Sequence, residues 1–324
     1  MTTTQIREKP ARLARRRNGF SLLEVLVAIS VLSLLLSLIA PGILSARSAA
    51  SKTECTNNLK NLAAAAEILE STGETLTLEN GIEASSWCRQ LLPHLDLGSL
   101  ERSLTSTEPS EVSAAMSASP AVFRCSVDSV HDGMPAGLTY VANTGYIQNG
   151  YWEGPNDLDH SPDAYVAFSP AWSVSKTIAT GAVFRPTSNG RAMKPVFGDG
   201  RSNTLLFAEN VQAGQWTSRY TGEIGFGVDV TLDRNNGDTL ELGTSVIVGT
   251  EGNETPSMIN VGLDTNAPGT APRPSSYHTG GISAAFVDGS VRFLNETMNQ
   301  NVYFRLITSG GASHGQKLVS DSQF

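Results

Sequence analysis

The stretch Gly19-Phe20-Ser21-Leu22-Leu23-Glu24 leads into a run, residues 25–40, without one charged side chain, and the rest of the chain has to fold around it. Before it stand Arg7, Lys9, Arg12, Arg15, Arg16 and Arg17 against a single Glu8. A basic leader therefore meets an apolar helix with one acid near the junction. Residues 20–44 number about 25, which at ~1.5 Å each span a hydrocarbon core of roughly 30 Å. The basic cluster before the run, with Arg47 alone soon after it, predicts a cytoplasmic leader and an extracytoplasmic remainder by the positive-inside bias. A secretory leader carries its small-residue cleavage site after the apolar region. Here the small residue, Gly19, comes first, so a cut after it leaves the membrane helix on the mature chain.

Glu24 needs a separate account. A carboxylate in a membrane segment costs about 2.5 kcal/mol or more and so calls for a partner or a function. A cut after Gly19 would place a positive amine on Phe20, one helical turn from Glu24, and a neighbouring subunit's amine could meet the same acid. The plainer alternative is a surface-level acid that reaches up to the headgroups.

Basic leader, glycine, phenylalanine, acid at the fifth residue after the cut and then apolar helix together resemble the start of type IV prepilins and type II secretion pseudopilins. Pro41, about 22 residues after the cut, adds to the likeness, since pilin helices often bend at a proline there. The resemblance implies a membrane prepilin peptidase and methyltransferase that removes residues 1–19 and methylates the Phe20 amine. It also implies packing of the mature helices with other pilin-like subunits, Glu24 neutralising a neighbour's terminus.

The chain has 324 residues, enough for a sizeable core. Outside the leader it holds 17 Lys and Arg against 30 Asp and Glu, a net charge of −13. That balance argues against nucleic acid as a partner, suits an extracytoplasmic body, and leaves room for a hard cation such as Ca²⁺. The three cysteines, Cys55, Cys88 and Cys125, permit one disulfide with one thiol left over. The absence of a CxxC pair argues against a thiolate metal site.

Beyond Pro41-Gly42 the helical period resumes, with Cys55, Leu59, Leu62, Ala63, Ala66 and Leu69 on one stripe and Gly73 placed to end the helix. This amphipathic stem, residues 45–72, must bury its stripe against the β-rich head at 73–324, with Cys55 pointing inward. In the head a short helix interrupted by Pro93 is expected at 85–97, a solvated connection at 101–120, and strands at 121–125 and 137–143. A turn at Asp199-Gly200 leads into an apolar strand ending near Glu209, and further strands are expected at 224–232 and 244–250, around a turn at 233–237. Residues 264–275 read as a loop. Two alternating runs around Asp288-Gly289 form the clearest hairpin, after which Asn295 is placed to cap a last helix closed by Gly310-Gly311.

Glu54-Cys-Thr-Asn-Asn-Leu-Lys60, Ser86-Trp87, Cys125 with Asp128, the turn Asp199-Gly-Arg-Ser-Asn-Thr204, and His278 followed after nine residues by Asp288-Gly289 resemble a large bacterial family. Its members join a prepilin-type start to a C-terminal domain of unknown function named for the His-x9-Asp-Gly motif. The resemblance favours Cys55 with Cys125 as a disulfide, while Cys88 replaces a more usual basic residue after the tryptophan.

His278, Asp288 and Ser290 are triad residue types, but no Gly-x-Ser-x-Gly elbow accompanies them, and Asp288-Gly289 is accounted for as a turn. Asp199, Asn203, Glu209 and Asp288, with Asp229, Asp233 and Asp238, supply hard oxygen ligands for Ca²⁺, yet no EF-hand spacing occurs; Asp199 and Asp288 are weak candidates. His94, His131, His160 and His314 show no ligand spacing. The expectation is an α+β, pilin-like fold: a long N-terminal helix, half transmembrane and half amphipathic stem, packed on a mostly antiparallel sheet. The chain is expected in the inner membrane as a single-pass, non-enzymatic subunit without a cofactor, its C-terminal domain periplasmic or on the cell surface. The rival expectation is a membrane-tethered binding protein that uses the prepilin segment only for targeting.

Overall fold

The computed structural model describes residues 21–74, 76, 86–148, 197–218, 221–230, 259–260, 263, 273–310 and 318–319. The leader with Gly19 and Phe20, the strand expected at 244–250, the turn at 233–237, most of the loop at 264–275, Gly311, His160 and His314 lie outside them. The chain forms two compact units, residues 1–48 and 49–324.

One 50-residue helix, α1 (Leu22–Ser71), contributes to both. Every side chain described in the first unit is exposed, including the whole apolar run. Its few hydroxyls are satisfied within the helix: Ser30, Ser33 and Ser37 donate to the carbonyls of Val27, Ile29 and Leu34 at 2.8, 2.8 and 2.7 Å. Such back-bonding hides a hydroxyl's polarity where no water is at hand. Pro41 sits inside the helix and withholds one backbone N–H from the ladder.

In the second unit the helix changes character. Cys55, Leu59, Leu62, Ala63, Ala65, Ala66 and Leu69 are buried, at the three- and four-residue steps of one helical face. The helix stops at Ser71, and Gly73 takes φ +86°, a left-handed conformation that ends helices cheaply only for glycine.

The stripe belongs to a core built on a five-stranded sheet: β1 (Tyr140–Gln148), β2 (Leu205–Glu209), β3 (Gly225–Val230), β4 (Gly281–Phe286) and β5 (Val291–Asn295), in the order β3-β1-β2-β4-β5. β1 and β3 are parallel and the other pairs antiparallel. β2 and β4 are buried along their whole length, as strands covered on both faces must be. Tyr140 and Asn143, on opposite faces of β1, show what covers them. The Tyr140 hydroxyl accepts from Asn58 Nδ2 of α1 at 3.4 Å, while Asn143 Nδ2 donates to the Ile307 carbonyl at 3.0 Å, at the end of the C-terminal helix.

Short helices close the remaining side: α2 (Trp87–Leu91), which runs into a 3₁₀ turn at Leu92–Leu95 containing Pro93, then α3 (Gly98–Leu104) and α4 (Pro109–Met116). Further on come α5 (Thr221–Ile224) and the C-terminal α6 (Gln300–Ile307). Trp87 is wholly buried against Phe207, with ring centroids 4.7 Å apart, and its indole N–H donates to the Ile224 carbonyl at 3.0 Å. Ser86 donates to the Trp216 carbonyl at 3.0 Å, and Trp216 stacks on Phe123.

Three local expectations are corrected. Residues 101–120 are not an open connection but hold most of α3 and all of α4, each too short and too exposed to leave a clear apolar period. The strand expected at 121–125 is a single 3₁₀ turn, Ala121–Phe123, whose carbonyls at Ala121 and Arg124 are taken by Asn58 of α1 rather than by a neighbouring strand. Asn295 caps no helix; its Oδ1 accepts from Thr297 N and Oγ1 in a local turn, and α6 begins at Gln300. The hairpin is present, with Ser283 opposite Phe293. Phe286 N–H donates to Ser290 O and Gly289 N–H to Phe286 O, with Gly289 at φ +80°, so the loop is a three-residue turn whose glycine alone is left-handed.

Candidate functional site

Two places gather the residues singled out above. The first is the start of α1. Glu24 lies in its first turn, where a carboxylate complements the unsatisfied N–H groups, and Glu24 Oε2 accepts from the Ser21 N–H at 2.9 Å. From there the helix is long and apolar enough to cross a membrane, with none of that stretch buried. Gly19 and Phe20 are outside the described residues.

The second is a buried centre between the stem and the sheet. Cys55 of α1 and Cys125 form a disulfide, with Cα atoms 5.2 Å apart, tying the stem to the segment that follows the 3₁₀ turn. His278, from the loop before β4, directs Nε2 at Cys125 Sγ (3.3 Å) and at Glu209 Oε1 (3.4 Å). Its backbone N–H is held by Ser276 Oγ at 2.8 Å. Glu209 ends β2 opposite Tyr140; its Oε2 accepts from Ser283 N of β4 at 2.7 Å, whereas Oε1 is buried and accepts no hydrogen bond among the described residues. Burial pushes the Tyr140 phenol well above its usual range, and the charge of Glu209 adds to the effect.

A polar network extends from the disulfide on the other side. The Cys125 N–H donates to Thr139 Oγ1 (3.2 Å), which donates to Asp128 Oδ2 (2.5 Å), and the same oxygen meets His131 Nδ1 at 2.6 Å. His131 Nε2 reaches the Ala213 carbonyl at 2.9 Å. Each ring nitrogen of this wholly buried histidine faces an oxygen, Asp128 Oδ2 on one side and the Ala213 carbonyl on the other. His131 showed no ligand spacing in the sequence; the Asp-x-x-His step from Asp128 was the signal available for its pairing.

The other candidates separate. Asp288 and Ser290 share the hairpin turn, where Asp288 Oδ1 accepts from the Ser290 N–H at 2.9 Å and its hydroxyl at 2.6 Å, and the His278 ring faces Cys125 and Glu209 instead. Asp199 Oδ2 accepts from Thr308 Oγ1 at 3.0 Å, and Asn203 Nδ2 bonds the Asp199 carbonyl. Asp233 and Asp238 are outside the described residues, as is the side chain of Asp229. Cys88 is a buried free thiol that burial pushes well above the usual range.

Residues 44–301 match the family model described as a protein of unknown function (DUF1559), and residues 14–40 match the prokaryotic N-terminal methylation motif. No curated protein and no solved structure matches the chain.

Proposed function

We propose, from the premise that this chain belongs to the DUF1559 family and opens with a prepilin-type methylation motif, that it works as a pilin-like structural subunit of a filament. The motif implies processing by a prepilin peptidase and association with a membrane. In the fuller reading, the peptidase cuts after Gly19 and methylates Phe20, α1 holds the subunit in the inner membrane with its leader cytoplasmic, and the head lies in the periplasm or on the cell surface. Subunits of a type II secretion pseudopilus or a type IV pilus then align through α1, Glu24 fixing register. The observation that carries this reading is a methylation motif laid over a helix whose apolar run is exposed at each of its described residues. Apolar side chains arranged all round a helix need lipid or other helices as their environment.

The work in this reading is mechanical, with no catalytic step and no cofactor. It is supported by the engagement of Asp288 and Ser290 with each other and of His278 with the disulfide centre. Mass spectrometry of protein recovered from cells should find an N-methylated Phe20 terminus. Glu24→Ala should leave membrane insertion intact and abolish recovery in sheared or cross-linked filaments. Normal filament incorporation of that variant, or a terminus still at Met1, overturns the reading in favour of a tethered binding protein.

A further inference from the structure

We propose that Cys55, Cys125, Glu209 and His278 form, when the cysteine pair is reduced, a four-coordinate site for a thiophilic divalent cation such as Zn²⁺. The inference is independent of filament assembly. One ligand atom from each of the four buried residues lies within 4.8 Å of every other. In a tetrahedral site, bonds of about 2.0–2.3 Å to a shared ion hold the donors roughly 3.3–3.8 Å apart. The imidazole already stands at that spacing from one sulfur and from the carboxylate, 3.3 Å from Cys125 Sγ and 3.4 Å from Glu209 Oε1; the wider pairs must close by about an ångström, and opening the disulfide frees the two sulfurs. Two thiolates, an imidazole and a carboxylate are the donor set of a closed zinc site, not the six to eight oxygens that Ca²⁺ takes.

A second observation points the same way. Among the described residues, Glu209 Oε1 is fully buried, accepts no hydrogen bond, and stands 3.4 Å from the same His278 Nε2 that faces Cys125 Sγ. An acceptor left so is costly, and a cation would satisfy it. The outer partners needed to orient the ligands are in place: Ser283 N–H on Glu209 Oε2 and Ser276 Oγ on the backbone of His278. Charge also balances. Two thiolates and one divalent cation sum to zero, so exchanging the disulfide for the loaded dithiolate adds no net charge to the buried centre.

The two forms exclude each other. A dithiol reductant gives two electrons and two protons to the Cys55–Cys125 bond and becomes a disulfide, leaving two thiols. The cation then displaces both thiol protons to solvent and takes the thiolates. Reoxidation requires the ion to leave, so a bound ion guards the nascent, still reduced chain against premature or wrong pairing with Cys88.

The test uses the full chain in detergent with Cys88→Ala, so that only the pair in question contributes thiols, and Co²⁺ as the spectroscopic probe. After reduction with a phosphine, one Co²⁺ per chain should bind with an intense thiolate charge-transfer band, displaced by Zn²⁺; the oxidised chain should show none. Glu209→Gln and His278→Ala should each weaken binding about tenfold or more. Because reduction can loosen the fold, disulfide closure is also timed during refolding from denaturant: Zn²⁺ should slow it, and His278→Ala should abolish the slowing. A reduced, folded chain without the band, a band unchanged in both variants, or closure indifferent to Zn²⁺ overturns the site.

Discussion

The two parts of α1 have one backbone and opposite relations to their surroundings. Residues 25–40 carry no charged side chain and none is buried, whereas beyond residue 49 the buried apolar residues fall on one stripe and Ile68, off that stripe, stays exposed. A helix with a single apolar face finds its core within its own chain. A helix apolar all round must find it elsewhere, in lipid or in other copies. Leucine therefore means different things on either side of residue 48: in the stem it measures the stability of the head, and in the first unit it measures association.

The sharpest test of that contrast is the staple on the stem. Cys55 and Cys125 are 70 residues apart, and opening the loop with Cys55→Ala and Cys125→Ala together should destabilise the head by about 4 kcal/mol, read from urea titration in detergent. No substitution confined to residues 22–44 should approach this. A matched pair comes next. Leu62→Ala in the buried stripe should cost about 3 kcal/mol, while Leu32→Ala should leave the same titration unchanged; equal losses would erase the distinction between the two parts.

The smallest effect is in pH. Cys88 and Tyr140 are held protonated in the fold above the range in which the unfolded chain ionises them, so the unfolded chain binds fewer protons there. Stability should be at its full value below about pH 8.5, then fall as pH rises through the ordinary thiol range and, past about pH 10, the phenol range. The slope should reach at most about 1.4 kcal/mol per pH unit for each group. Cys88→Ala should flatten the first part, and a rise in stability over that interval would contradict the sign.

The legible parts of this molecule were those with local rules. The stem stripe follows from 3.6-residue periodicity, and the Asp288-Gly289 hairpin from turn chemistry, although the loop is one residue longer than the dipeptide implies because only Gly289 is left-handed. α3 and α4 escaped notice because they bury almost nothing: α4 hides Ala115 alone and α3 no residue, so Ser, Thr and Glu dominate their pattern. Ala121–Phe123 passed for a strand because Val122 and Phe123 are strand-forming residues, yet its carbonyls are met by single groups, the Asn58 side chain on Ala121 and the Thr139 N–H on Phe123, rather than by a ladder. The centre around His278 obeys no spacing at all. Its members come from positions 55, 125, 209 and 278 and meet only because α1, β2 and the loop before β4 converge.

The Cys55–Cys125 bond also decides how a load would travel. A pull applied at the N-terminal end of α1 reaches Cys55 before most of the stripe and passes there directly into the sheet-bearing part through a covalent link. The hydrophobic seal from Leu59 to Leu69 lies downstream of that link and is shielded from peeling. Under tension applied there, the oxidised chain should keep its stem on its own sheet, whereas the reduced chain should let it peel.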